Sequence, residues 1–170
     1  MKKIIGLLLL VLCPSMAVEL GTVPSNVMLS GEQGAKVDGS AWSSSMLKGK
    51  VHIVFYVDPD KKDLNSALSS SIKEQNFNRE KFNSVAIINL AATWLPNVVL
   101  ESLLEEKQKE FPHTVYVKDK QKVLVNKWKL ADDNSDILLF DKKGKLIYKK
   151  FGKLSALEIQ KVLTLIEKNM

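Results

Sequence analysis

Apolar positions along the chain fall into continuous runs and helical stripes, and the two alternate. Residues 51–57, VHIVFYV, form a β-rich run of the kind expected for a strand covered on both faces. Residues 60–75 then repeat Leu64, Ala67, Leu68 and Ile72 on one helical face. Residues 85–90, VAIINL, read as a second buried strand. Pro96 suits the first turn of the helix that follows, whose stripe is Val99, Leu100, Leu103 and Leu104. Pro112 closes that helix ahead of a strand at 114–117. A short helix over 122–130 leads to a strand at 137–140, and Asp141-Lys142-Lys143-Gly144 turns it into a hairpin with 145–151. The last helix opens on Ser155-Ala156-Leu157-Glu158, a capping-box pattern, and presents Ile159, Val162, Leu163 and Ile166 to a core. Strand–helix alternation ending in a hairpin and a helix predicts a mixed α/β sheet with helices on both faces.

The first residues change the domain count. Lys2 and Lys3 precede a short apolar run at 4–12, and Ser15-Met16-Ala17 offers small residues where a signal peptidase cuts. The run is about half of the ~20 residues needed to span a bilayer. The expected organisation is a signal peptide at 1–17, cleaved after Ala17, and one domain over 18–170. Periplasmic export follows, with no membrane association of the mature form. Leu10-Val11-Leu12-Cys13 is loosely similar to a lipobox, but Leu12 is bulky where a small residue belongs and Pro14 follows.

Cys13 is the one cysteine in the chain. Cleavage after Ala17 leaves a mature protein with no disulfide, no thiolate and no cysteine-based metal site. Removing Lys2 and Lys3 takes the formal charge from +6 to +4. Arg79 is the sole arginine, and lysine lacks the planar fork that reads bases or clamps phosphates. The lysines alternate with acids, as in Lys118-Asp119-Lys120-Gln121-Lys122, which reads as a solvated face. Nucleic acid is not an expected partner.

Several blocks carry a resemblance. Val23-Pro24, then Asn26 to Leu29, glycines and Leu47-Lys48-Gly49-Lys50 ahead of the first strand are similar to the N-terminal extension of exported thiol-disulfide proteins and peroxiredoxins. LKGKVHIVFYVDPDKKDL (47–64), VAIINLAATWLPN (85–97), KEFPHTVYVKD (109–119) and WKLADDNSD (128–136) resemble the YtfJ-type family of Gram-negative periplasmic proteins, within the thioredoxin-like superfamily. That resemblance implies a thioredoxin-like three-layer α/β/α sandwich, with a mixed central sheet and an N-terminal β extension. It brings no established activity.

In redox members of the superfamily a Cys-x-x-Cys pair opens the helix after the first core strand, where the helix N-terminus stabilises the thiolate. Counted from Phe55, those positions hold Asp60 and Asp63, and the position of the superfamily's cis-proline falls at about Ser135. Carboxylates form neither disulfides nor sulfenates, so thiol chemistry is excluded there. Two readings remain for the acids. Asp58, Asp60 and Asp63 from one junction, with Asp132, Asp133 and Asp136 from the facing loop, would suit a hard divalent cation such as Ca²⁺. Alternatively, Asp60 is a helix N-cap with Asp63 at the third helical position, and Asp132 and Asp133 are solvated loop residues. Thr93 and Trp94 are expected beside them, with Trp94 either a ligand platform or a lid on the core.

His52 reads as a satisfied strand residue and His113 has no ligand-spaced partner, so neither suggests zinc. Ser43 fits the cap of a short helix. The expected function is a non-catalytic binding or accessory domain for a periplasmic protein or small ligand, without a cofactor. The alternatives are a divalent-cation protein built on the acids, or an oxidoreductase relic that docks partners without electron transfer.

Overall fold

A computed structural model describes residues 17–170. The apolar run, Cys13 and most of the cleavage motif of the expected signal peptide lie outside them. The strands are β1 (Met28–Leu29), β2 (Gly34–Lys36), β3 (Trp42–Ser43), β4 (Val51–Val57), β5 (Phe82–Asn89), β6 (Thr114–Asp119), β7 (Ser135–Phe140) and β8 (Leu146–Phe151). The helices are α1 (Ser66–Gln75), α2 (Asn97–Glu110), α3 (Val123–Trp128) and α4 (Ala156–Asn169). Six strands form one sheet in the order β2-β6-β5-β4-β7-β8, and β1 pairs with β3 separately. β4, β5 and β6 run parallel, while β2, β7 and β8 are antiparallel to their neighbours. β4 lies inside the sheet and every residue of it is buried, which is why its sequence is apolar without alternation.

Alternate side chains of the sheet build two faces. Ile53, Phe55, Ile137 and Leu139 pack with Leu68 of α1 and Val162, Leu163 and Ile166 of α4. Ala86 and Tyr116 extend that face under Leu100 and Leu104 of α2. Val54, Val85, Val117, Leu138 and Phe140 face the other way, beneath Leu124 and Trp128 of α3 and Leu29 and Trp42 of the N-terminal extension. The fold is the expected mixed-sheet sandwich, with α1, α2 and α4 on one side and α3 with the extension on the other.

Ser155 and Glu158 form the predicted capping box on α4, and the Ser43 hydroxyl accepts from the Ser45 N–H at the start of a 3₁₀ turn. Two helices depart from the expectation. α1 begins at Ser66, not near Asp60, because Pro59–Lys61 winds as a separate 3₁₀ turn, and Ala67 is exposed. In α2 only Leu100 and Leu104 of the predicted stripe are buried; Val99 and Leu103 face solvent.

The residue before α1 explains the late start. Asn65 is buried, and its side chain bridges three segments instead of capping its own helix. Nδ2 donates to Ser135 Oγ at 3.1 Å and to the Gly152 carbonyl at 3.2 Å, while Oδ1 accepts from the Leu154 N–H at 2.9 Å. An alanine there would leave these groups dry and unpaired. Asn65→Ala is therefore expected to lower unfolding free energy by about 2–3 kcal/mol in urea titrations. The exposed change Asp63→Ala should stay within about 0.5 kcal/mol of wild type. Equal losses in the two variants would contradict the bridging role.

Candidate functional site

The segments that follow β4, β5, β6 and β8, and the one that precedes β7, meet at one end of the sheet, here called the carboxyl end. All the acidic candidates stand there, as do Thr93 and Trp94 on the segment after β5. They do not converge as a set. Among the described residues, no three His, Cys, Asp or Glu side chains are grouped so as to hold a metal ion.

Each acid has its own engagement. Asp58 is buried, its N–H donates to the Asn134 carbonyl at 2.8 Å, and its Oδ1 accepts from the Asp60 N–H at 2.9 Å. The capping expected of Asp60 is thus performed by Asp58, and for a 3₁₀ turn, not for α1. Asp60 and Asp63 are exposed in the turns before α1. Asp132, exposed as expected of a loop residue, accepts from Asn89 Nδ2 at 2.9 Å and pairs with Lys122 at 2.6 Å, which holds its carboxyl below the usual range. Asp136 is fully buried opposite Tyr56, with Oδ2 accepting from the Ala131 N–H at 2.7 Å. Ser135, at the expected proline position, is buried and held by Asn65.

Sequence reasoning missed the best-satisfied carboxylate at this end. Asp119, expected on a solvated face, is fully buried at the end of β6. Its oxygens accept from the N–H groups of Gln121, Val123 and Leu124 and from the Tyr56 hydroxyl. The signal was its position: an aspartate between a β-rich run and a helix opening four residues later supplies acceptors to that helix's free N–H groups. Burial, with Asp119 beside it, pushes the Tyr56 hydroxyl far up, so it stays a proton donor.

The amino ends of the parallel strands border a different opening, a cavity of about 550 Å³. Trp42, Met46, His52, Gln108, His113 and Tyr116 are among its lining residues. His52 is buried with Nδ1 3.0 Å from the Lys50 carbonyl, and desolvation lowers its pKa.

Trp94 corrects a further expectation. It is 86% exposed, so it is no lid on the core. Val98, in the first turn of α2, is 76% exposed, and Val99 and Leu103, four residues apart on that helix, are exposed as well.

Two buried carboxyls make stability depend on pH. Burial raises Asp136 to about 7, against the opposing hydrogen bond from Ala131. Burial raises Asp58 to about 6, the Asp60 N–H opposes it, and the facing Asp133 carboxyl adds to the rise. Among the described residues, Asp58 Oδ2 and Asp136 Oδ1 have no hydrogen-bond partner. Both folded-state values exceed the ordinary 3.8, so from about pH 4 to pH 7 the folded protein holds protons that the unfolded chain has released. The contribution of these two carboxyls to stability therefore falls as pH rises through that window, while buried His52, lowered from 6.5, contributes in the opposite sense up to about its ordinary value. Thermal melts of wild type and D136N are expected to show this decline. D136N should gain on the order of a few kcal/mol over wild type at about pH 8 and little at about pH 4. A difference independent of pH would refute the assignment.

Known proteins place this arrangement. A family described as bacterial protein of unknown function, YtfJ_HI0045, matches residues 22–169. An uncharacterized protein of Haemophilus influenzae is 31% identical over 128 residues, covering 74% of this chain and 70% of that protein. Escherichia coli YtfJ is 27% identical over 131 residues, 75% of this chain and 71% of its own. The thioredoxin domain of a thiol-disulfide oxidoreductase from Bacteroides vulgatus superposes with a TM-score of 0.63 at 15% identity, over 88% of this chain and 99% of that one, a likeness of fold. The chain belongs to the YtfJ_HI0045 family of bacterial proteins and carries its domain on a thioredoxin-like fold.

Proposed function

We propose that this is an exported, non-redox binding protein that uses the thioredoxin-like fold to present a protein-docking face at the carboxyl end. The observation that carries the reading is the exposure of Trp94 just ahead of α2, with Val98, Val99 and Leu103 exposed on the helix that follows. An aromatic anchor with adjoining aliphatic side chains is the composition of an interface hot spot, and an isolated soluble domain has little reason to leave it in water. Glu105 and Glu106 flank it on α2 and are exposed. The favoured partner is therefore a protein segment with apolar side chains and basic flanks. The absence of thiols from the Asp60 and Asp63 positions supports binding without electron transfer. The N-terminal charge and apolar pattern supports export to the periplasm.

In-cell crosslinking of wild type and W94A in the periplasmic fraction tests the reading. W94A is expected to keep the wild-type melting temperature, because its side chain supports no core, and to lose the principal adduct. A folded W94A with an unchanged adduct pattern would remove this face from the function. Insulin reduction or peroxide consumption above buffer would overturn the non-redox assignment.

A further inference from the structure

The opposite end of the sheet carries a surface of different chemistry. Three loops meet there through backbone hydrogen bonds: Gly49 N–H donates to the Lys142 carbonyl and Val51 N–H to the Lys81 carbonyl. Lys50 Nζ donates to the Arg79 carbonyl at 2.7 Å, and the Lys48 side chain lies against Gly144. These contacts gather Lys48, Lys50, Arg79, Lys81, Lys143 and Lys145 at one end. None of these cations is ion-paired among the described residues, a state they share with most lysines of the chain, so their clustering is what sets this end apart. The loops' own acids compensate little. Asp141 is committed to the turn, accepting from the N–H groups of Lys143 and Lys145, and Glu80 stands alone against the cations.

Exposed aliphatic side chains stand on neighbouring segments. Val23 and Lys48 line one small cleft with Gly144, and Met46 precedes the Leu47-Lys48 step. Leu20 sits beside Gly21, whose N–H donates to the Leu146 carbonyl at the foot of β8. Leu20, Val23 and Met46 are all exposed.

Against the expectation of no membrane association, we propose that this end is a docking surface for an anionic lipid bilayer, with the lysines at the headgroups and Leu20, Val23 and Met46 at the headgroup–acyl boundary. Unpaired lysines beside exposed aliphatic residues match the two attractions an interfacial protein uses. An acidic protein is the other polyanion to consider. Protein interfaces concentrate Trp, Tyr and Arg, and the exposed apolar residues here are aliphatic while Arg79 is the sole arginine. Among the described residues no helix is long and apolar enough to cross a membrane, so the contact is peripheral.

Residues 18–170 contain every described element and suit vesicle co-sedimentation. The protein is expected to pellet with phosphatidylcholine–phosphatidylglycerol vesicles and not with phosphatidylcholine alone, and added salt should weaken binding. K48Q/K143Q/K145Q should bind about 100-fold less tightly, since each lysine contributes independently. V23S/M46S should bind about tenfold less tightly and release at lower salt. No binding of wild type to the anionic vesicles overturns the proposal whatever the variants do. Wild-type vesicle binding by V23S/M46S together with equal binding to poly-glutamate also overturns it, in favour of an acidic protein partner.

Discussion

A carboxylate with no solvent exposure holds one face of this sheet together. Asp119 ends β6 and takes hydrogen bonds from the first turn of α3 and from Tyr56 of β4, so one side chain ties two strands to the helix above them. Unpaired, a buried charge of this kind would be strongly destabilising; with four donors it becomes a clamp. Trp128 at the far end of α3 passes the constraint on. Its indole donates to the Ser25 carbonyl at 2.9 Å, and its own carbonyl accepts from the Val18 N–H. The N-terminal extension is thus hung from a helix that Asp119 positions. The edge strand meets the same residue, since Gly34 pairs with Asp119. Its φ of 137° and the 1.8 Å that would separate a Cβ from the Lys118 carbonyl leave glycine as the residue that fits.

The polar groups at the carboxyl end are consequently spent on architecture. Asn65 joins the entry to α1 with the start of β7 and the exit of β8, Asp119 anchors α3, and Asp132 is shared by Asn89 and Lys122. In a thiol-based member of the fold this end keeps an accessible nucleophile. Here Asp60 and Asp63 are accessible but unengaged, and the residues between them and the sheet have become bridges. Thiols are replaced at these positions without disturbing the scaffold, and one fold can serve unrelated roles.

Much of this was readable in the residues. Strands buried on both faces announce themselves by apolar runs, as at 51–57 and 137–140, and the capping box at Ser155 and Glu158 is local chemistry that tertiary contacts leave alone. What escaped depends on distant partners. Asp119 looks like a surface residue among lysines until Tyr56, 63 residues away in sequence, is placed against it. Asn65 suits a helix cap, yet its bonds run to residues 70 and 89 positions on. Helical periodicity named Val99 and Leu103 as core, but periodicity cannot tell how wide a stripe the sheet will cover. On α2 the covered strip stops at Leu100 and Leu104, and the surplus apolar residues face outward.

That surplus separates a structural account of the carboxyl end from a functional one. Buried polar residues there are explained by the strands and helices they join. Trp94 joins nothing, since its side chain is solvated and the hydrogen bond of its segment is a local one, from the Leu95 N–H to Thr93. A solvated tryptophan followed by three exposed aliphatic residues on α2 adds no core and costs solubility. The amino end likewise gathers Lys48, Lys50, Lys81, Lys143 and Lys145 with no ion pair among the described residues. Neither surface is needed to make the fold, so folding alone accounts for neither.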